Sequence, residues 1–223
     1  MNKNLIIKAF TKYFAGFVLL AALIFIPAGS LKFMNGWLFM GLLFIPMFIM
    51  GIVLLLKNPE LLEKRLNAKE TESQQKTVVA VSGIMFLAGF VTAGLDYRFK
   101  WLVLPKWVII IASAIFLLSY IMYAEVLREN TYLSRTIEVQ ENQKVIDTGL
   151  YGIIRHPMYT ATIFLFLSIP LVLGSLFSFL IFLVYPTIII MRISNEEKFL
   201  ESQLDGYAEY KKKVKYRLVP FVW

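Results

Sequence analysis

The stretch 36–56, GWLFMGLLFIPMFIMGIVLLL, decides the fold, because it runs for 21 consecutive residues without a charged side chain. About 20 apolar residues in an α-helix are enough to span the roughly 30 Å hydrocarbon core of a bilayer. The stretch is also bounded by the polar residues Asn35 and Lys57. It therefore predicts a helix that crosses a membrane.

Five more apolar stretches flank this one, at 14–31, 77–95, 107–127, 158–173 and 175–193. The stretch 158–173 is short, and Gly174 separates it from the last one, so these two predict a tight helical hairpin. The sequence thus predicts an all-α, polytopic integral membrane bundle of about six transmembrane helices. Five crossings plus a re-entrant piece is the alternative, because non-helical backbone is tolerated at membrane depth only inside protein.

Composition narrows the function classes. Hydrophobic residues make up 58% of the chain, against roughly 45–50% in soluble domains. The chain has no cysteine and one histidine, which excludes disulfides, thiolate metal sites, cysteine nucleophiles and a histidine-rich metal site. The net charge of +8 suits nucleic acid or an anionic membrane surface, and the apolar stretches decide for the lipid bilayer.

The distribution of lysine and arginine predicts the orientation. With six crossings, 19 of the 23 basic residues fall on the side of the two termini. The other side holds only four, Lys32, Arg98, Lys100 and Lys106. The positive-inside rule therefore predicts that both termini are cytoplasmic.

Two shorter segments have two interpretations each. Lys3, Lys8 and Lys12 precede the first stretch, as in a signal peptide, but its apolar part is long, so we favour an uncleaved anchor. The polar loop 57–76 contains Leu61, Leu62 and Leu66 at helical spacing. It predicts either a short interfacial helix or a solvated connector.

Reactive side chains are concentrated from residue 128 onward, where the chain carries its single histidine and five of its seven arginines. Ionisable groups gathered at one membrane face indicate a site. An antiparallel hairpin places the beginning of one helix beside the end of the other. We therefore expect His156 and Tyr159 to meet Arg192 and Glu196 in one pocket.

Such a pocket suits a ligand with an anionic end and a cationic centre, and S-adenosylmethionine is one candidate among several. Each residue also has a structural explanation. Pro157 is an ordinary first residue of a helix, His156 can satisfy backbone groups, and Arg192 can be an interfacial anchor. Glu196 and Glu197 can belong to a solvated face.

Four motifs in this region resemble the isoprenylcysteine carboxyl methyltransferases, which are integral-membrane enzymes that use S-adenosylmethionine. The motifs are Thr148-Gly149-Leu150-Tyr151, then Arg155-His156-Pro157-Met158-Tyr159, then Arg192 with Glu196-Glu197, and then Gly206-Tyr207 through Tyr210 to Pro220. The resemblance covers about the last 95 residues, and the wider group includes phospholipid methyltransferases. This chain departs from the family pattern at Leu150, where proline is common, and at Ala161, where glycine is common.

The resemblance implies a role for each matching residue. S-adenosyl-L-methionine would be held by residues of the loop, the hairpin and the sixth helix, namely Gln140, Lys144, Val145, Ile146, Tyr151, His156, Pro157, Met158, Tyr159, Glu196 and Glu197. Arg192 and Arg155 are the candidate catalytic residues, with Arg192 facing the acceptor. The chain then divides into four transmembrane helices at 1–127 and a catalytic region at 128–223.

The expected reaction is O-methylation of a carboxylate on a hydrophobic or lipid-linked acceptor, because an ionised carboxylate needs no base and suits a bidentate arginine. A phospholipid or amine N-methyltransferase is the alternative, with His156 or Glu197 as the base that removes the amine proton. An NADPH-dependent sterol-type reductase shares an Arg-His-x-x-Tyr motif. A channel or transporter is a further alternative, but its pathway would need polar groups inside the spans.

Overall fold

The computed structural model describes residues 3–66, 73–133 and 139–223, with side chains for all of these except 73–75. The described residues form nine α-helices and one 3-10 turn at Gly149–Gly152. The helices are α1 Lys3–Ala28, α2 Met34–Lys57, α3 Pro59–Leu66, α4 Ser73–Phe99, α5 Lys106–Glu129, α6 Pro157–Leu173, α7 Leu176–Phe182, α8 Val184–Gln203 and α9 Tyr207–Lys213.

The predicted polytopic helical bundle is confirmed. Five segments are long and apolar enough to cross a membrane, and they are α1, α2, the part of α4 from Lys76, α5 and the combined segment Leu176–Gln203. The sixth apolar helix, α6, has 17 residues, which lies at the short end of the transmembrane range. The chain is therefore a multi-pass membrane protein.

The two ends of the bundle are chemically different, and we name them by their contents. The site end is where α5 ends and α6 begins, and the far end is where α6 ends and α7 begins. At the far end the Ser175 hydroxyl donates to Asp96 Oδ2 at 2.6 Å, and the Asn35 side chain donates to the Leu173 carbonyl at 3.4 Å. The α6–α7 turn therefore lies level with the far ends of α2 and α4, so the hairpin runs the whole length of the bundle.

Helix α6 is central because both sides of it are covered. It packs against α2, α4, α5, α7 and α8, and its buried residues follow no single face: Pro157, Tyr159, Thr160, Ala161, Leu165, Ser168, Ile169, Pro170, Val172 and Leu173. A helix that is apolar all round is typical of such a buried position. Its first turn is thereby held rigidly at the site end.

The hairpin turn is built by two residues. Gly174 has φ of +81°, a left-handed conformation that glycine adopts without a steric penalty. A Cβ at this position would also lie 2.7 Å from the Asn35 amide nitrogen. Ser175 then begins α7, and its hydroxyl accepts a hydrogen bond from the Ser178 N–H.

The predicted sixth helix differs from the observed one in two ways. It is divided at Leu183 into α7 and α8, and Pro186 explains the break because it cannot donate a hydrogen bond to the carbonyl of Phe182. It also continues past the apolar stretch 175–193 to Gln203. The extension remains helical because its buried face, with Ile193 and Glu197, packs into the protein.

The loop 57–76 contains a helix, so the solvated connector is wrong for its first part. In α3, Leu61 and Leu62 are buried, and the Lys12 ammonium donates to the Leu66 carbonyl. Residues 67–72 of the loop lie outside the described residues. The interfacial position of α3 stays a prediction.

Candidate active site

A cavity opens at the site end, between the end of α5, the 3-10 turn, the first turn of α6, and helices α8 and α9. Most of the predicted site residues line it: Lys144, Val145, Ile146, Tyr151, Arg155, His156, Met158, Tyr159, Arg192 and Glu196. Three predicted residues are not among the lining residues, and they are Gln140, Pro157 and Glu197. The expected convergence of loop, hairpin and sixth helix is therefore observed.

Tyr159 connects the two helices of the hairpin. Its hydroxyl donates to Glu196 Oε2 at 2.5 Å and accepts from Arg192 Nε at 2.9 Å. Arg192 and Glu196 are one turn apart on α8, so they share a face. The three side chains form a continuous polar chain along the cavity wall. In it, the Tyr159 hydroxyl bridges the Glu196 carboxylate and the Arg192 guanidinium.

Glu197 has a different environment from its neighbour Glu196. Its side chain is 2% exposed and accepts from Arg155 Nε at 2.8 Å, from Arg217 Nε at 3.0 Å and from the His156 ring at 3.1 Å. The Lys211 ammonium lies 3.8 Å from Oε2. A buried carboxylate needs such compensation. Glu197 does not line the cavity, but it holds Arg155 and His156, which do.

The Arg-His pair is fixed by the last segment of the chain. The N–H groups of Arg155 and His156 donate to the carbonyls of Tyr216 and Arg217, each at 2.9 Å. The Arg155 guanidinium also donates to the carbonyls of Val214 and Lys215. Arg155 is thus bound on several sides, which makes it a positioning residue as well as a lining one.

The loop 139–147 is attached at both ends. Gln140 accepts from the Lys64 ammonium at 2.6 Å and donates to the Tyr132 carbonyl at 2.7 Å, so it fixes the loop to α3 from outside the cavity. Asp147 pairs with Lys213 at 2.6 Å, and this hydrogen bond lowers the pKa of the Asp147 carboxyl. Pro157 occupies the first turn of α6, the helix-capping role expected of it.

Several lining residues were not assigned from the sequence, among them Asn130, Gln143, Leu200, Leu204, Tyr207 and Tyr210. The Tyr210 hydroxyl donates to the Tyr151 carbonyl at 2.8 Å. Tyr207 is 4% exposed, and among the described residues its hydroxyl is the one buried side-chain polar atom without a hydrogen-bond partner. The sequence signal that could have assigned Tyr207 and Tyr210 to the cavity is their spacing in the 206–210 motif.

The unpartnered hydroxyl of Tyr207 is protonated over the whole ordinary pH range. Burial raises the pKa of Tyr207, and the charges of Glu197 and Glu196 raise it further. A buried hydroxyl without a partner is unfavourable, and here it belongs to a cavity wall. It is therefore available to donate to a ligand. In the described part of the chain, no cluster of three His, Cys, Asp or Glu residues has the arrangement of a metal site.

The comparison with protein families agrees with this location. Residues 106–205 match the model of the phospholipid methyltransferase family, and this segment runs from the start of α5 to just past α8. No curated protein matches the chain. The matched family is one of membrane methyltransferases, related to the isoprenylcysteine family, so the match supports the class of membrane methyltransferase for this chain.

Proposed function

We propose that this protein is an S-adenosylmethionine-dependent membrane methyltransferase that O-methylates a carboxylate on a hydrophobic or lipid-linked acceptor. One observation carries the proposal. Motif residues from three separate segments meet in a single cavity whose wall includes the carboxylate of Glu196 and the hydroxyl of Tyr207, which has no hydrogen-bond partner within the described residues. The matched family supports the reaction class.

The donor set of the cavity fits this cofactor. Glu196 offers a carboxylate to an ammonium or sulfonium group, and Lys144 and His156 offer nitrogen groups to a carboxylate. Val145 and Leu200 form an apolar wall against which an adenine ring can pack. When bound, S-adenosylmethionine supplies an activated methyl group next to a positively charged sulfur.

Arg192 is the residue that we assign to the acceptor. Its side chain lines the cavity beside Tyr159, and the planar fork of an arginine guanidinium matches the geometry of a carboxylate. An acceptor carboxylate oxygen forms its bond to the methyl carbon as the carbon–sulfur bond breaks. The positive charge of the sulfonium and the negative charge of the carboxylate are both lost, and no proton moves.

A phospholipid amine is the second candidate acceptor, favoured by the description of the matched family. An amine must lose a proton before or during methyl transfer. Glu197 does not line the cavity and accepts from Arg155, Arg217 and the His156 ring, so it is a poor choice of base. His156 lines the cavity and is the remaining sequence-based candidate.

The predicted orientation places the site end in the cytoplasm. The support is the excess of lysine and arginine on the side of the termini. A cytoplasmic cavity is accessible to a soluble cofactor, while a lipid-linked acceptor arrives between helices. A C-terminal reporter reached by impermeant reagents from outside intact cells would overturn this orientation.

Cofactor binding provides the first test. The purified protein should bind S-adenosylhomocysteine saturably and should not bind NADPH at the same concentrations, which separates the methyltransferase from the reductase. Glu196→Ala should weaken this binding by about 1.5–3 kcal/mol, the value of a hydrogen bond to a charged group. Glu209→Ala is the matched control, because Glu209 is exposed and outside the cavity wall, and should bind as the wild type does.

Tyr207→Phe sharpens the same test. The hydroxyl has no partner within the described residues, so its removal should leave thermal stability unchanged and weaken S-adenosylhomocysteine binding by roughly 0.5–1.5 kcal/mol. Unchanged binding in both Tyr207→Phe and Glu196→Ala would show that the cavity is not the cofactor site. The acceptor class is read from the product, since mild base releases methanol from a methyl ester and leaves an N-methyl group intact.

A further inference from the structure

A second cavity lies at the far end of the bundle, between the first turns of α2 and α5, the end of α4 and the α6–α7 turn. It holds about 450 Å³ of free volume. Its walls are largely apolar and include Phe33, Leu104, Ile109 and Leu173. None of the residues assigned to the candidate active site lines it.

The rim of this far-end cavity is basic. Lys32, Lys100 and Lys106 all line it, and all three are exposed. They are three of the four basic residues on this side of the membrane. No salt bridge joins any of the three to an acid within the described residues.

The acid of this cavity is already engaged by neutral donors. Asp96 is 2% exposed. Its Oδ2 accepts from the Ser175 hydroxyl at 2.6 Å, and its Oδ1 accepts from the Leu102 N–H at 3.2 Å. Asp96 therefore holds the hairpin turn in place and leaves the lysine ammonium groups available.

Aromatic side chains place this cavity at the membrane surface. Three of the four tryptophans of the chain, Trp37, Trp101 and Trp107, lie at the far end and are exposed. Tryptophan is enriched at membrane–water interfaces, so the lysines lie at the level of the lipid headgroups. The helix termini add to the positive field, since α2 and α5 both begin here with no acidic residue in the first turn.

We propose that the far-end cavity binds the phosphate headgroup of an anionic phospholipid, with the three lysines around the phosphate and the apolar walls against the glycerol and the first acyl carbons. The charge of the rim, the apolar walls and the headgroup depth together match an amphiphilic anion better than a soluble one. Basic pockets between transmembrane helices are known to bind anionic headgroups on the cytoplasmic side of membranes, and the same contacts are available to a phosphate here.

The test uses the purified full-length protein in a neutral detergent. Short-chain phosphatidylglycerol should raise the thermal unfolding midpoint saturably, whereas phosphatidylcholine with the same chains and inorganic phosphate should not. The combined variant Lys32→Gln, Lys100→Gln and Lys106→Gln should bind phosphatidylglycerol about ten-fold more weakly or worse. The matched control is Lys57→Gln, Lys198→Gln and Lys212→Gln, which removes the same charge from exposed lysines elsewhere and should keep the response.

A second variant tests the same cavity without removing charge, so the result does not depend on whether the triple lysine variant folds. Leu104→Trp fills the cavity without changing the charge and should also abolish the response. Equal loss in both lysine combinations would show bulk attraction rather than a site. An unaffected Leu104→Trp variant, or an equal response to inorganic phosphate, would equally overturn the proposal.

Discussion

The two ends of the bundle each bury a carboxyl group, but they surround it differently. At the site end, Glu197 is bound by Arg155, His156 and Arg217, so cationic charge is drawn into the protein. At the far end, Asp96 is bound by a hydroxyl and a backbone N–H. Its neighbouring lysines stay at the surface.

This difference separates two uses of basic residues in a membrane protein. Positive charge that is paired internally stabilises the fold. Here Arg155, just before α6, and Arg217, in the C-terminal segment, both bind Glu197 on α8. Positive charge that is left at the headgroup level remains available to a ligand or to lipid. The predictions that follow test whether the two ends behave as differently as they are built.

The largest effect is expected for Glu197→Gln. The variant keeps the shape of the side chain but leaves the buried Arg155 without a counter-charge, and breaking such a pair costs about 3–5 kcal/mol. We expect a loss near 3 kcal/mol, because the Arg217 side chain is 30% exposed and screened by solvent. Thermal unfolding in detergent measures it.

Glu201→Gln is the control for that prediction. Glu201 lies one turn later on α8, and within the described residues its one ion pair is with Lys211 at 2.9 Å, with 42% of its side chain exposed. Exposed pairs contribute roughly 0–1 kcal/mol, so its unfolding midpoint should hardly move. Similar losses in the two variants would mean that Glu197 is not the organising charge of the site end.

Arg192→Lys is expected to have an intermediate effect, and on turnover rather than on stability. Lysine keeps the charge but cannot reproduce two parallel hydrogen bonds. If Arg192 holds the acceptor, turnover should fall by about ten-fold or more while S-adenosylhomocysteine binding stays within about 1 kcal/mol of wild type. Full turnover in the variant would make Arg192 an interfacial anchor, which a lysine replaces equally well.

Arg128→Lys provides the comparison for Arg192→Lys. Arg128 forms an exposed pair with Glu125 at 2.5 Å and does not line the cavity. Its replacement should leave both turnover and cofactor binding unchanged. A comparable loss there would indicate a general effect of arginine at the membrane surface.

The smallest effect is expected at the far end, for Asp96→Asn. Asparagine still accepts one of the two hydrogen bonds and loses the other, which is worth about 1 kcal/mol. No buried cation is left unpaired, since the donors to Asp96 are neutral. A loss of thermal stability as large as that of Glu197→Gln would remove the distinction between the two ends.

Much of the fold follows from short-range patterns. The six apolar stretches and their turns are visible in the sequence because each helix in lipid must satisfy its own backbone hydrogen bonds and carry apolar side chains along its whole length. The helix Pro59–Leu66 was open to two interpretations, since eight residues carry too little signal to separate a helix from a connector. The break at Leu183 and the continuation of α8 to Gln203 also depend on neighbouring elements.

The cavity was predictable as a location and for part of its lining, but not as an arrangement. Hairpin geometry alone brings Tyr159 to Arg192 and Glu196, and the structure contains these contacts. Nothing in the sequence indicated that the segment around Tyr216 and Arg217 would pair with the backbone of Arg155 and His156. That pairing joins residues about 60 positions apart.

The sequence by itself determined that this chain is a bundle of apolar helices with its reactive groups at one end, because composition and period are local properties. Only the tertiary structure decided how the adjacent acids Glu196 and Glu197 divide their roles. Neighbouring residues on a helix point about 100° apart, so one faces the cavity and the other faces Arg155, just before α6, and Arg217 in the C-terminal segment. Which acid faces which side is set by how α8 is rotated against its neighbours, and that rotation is a property of packing.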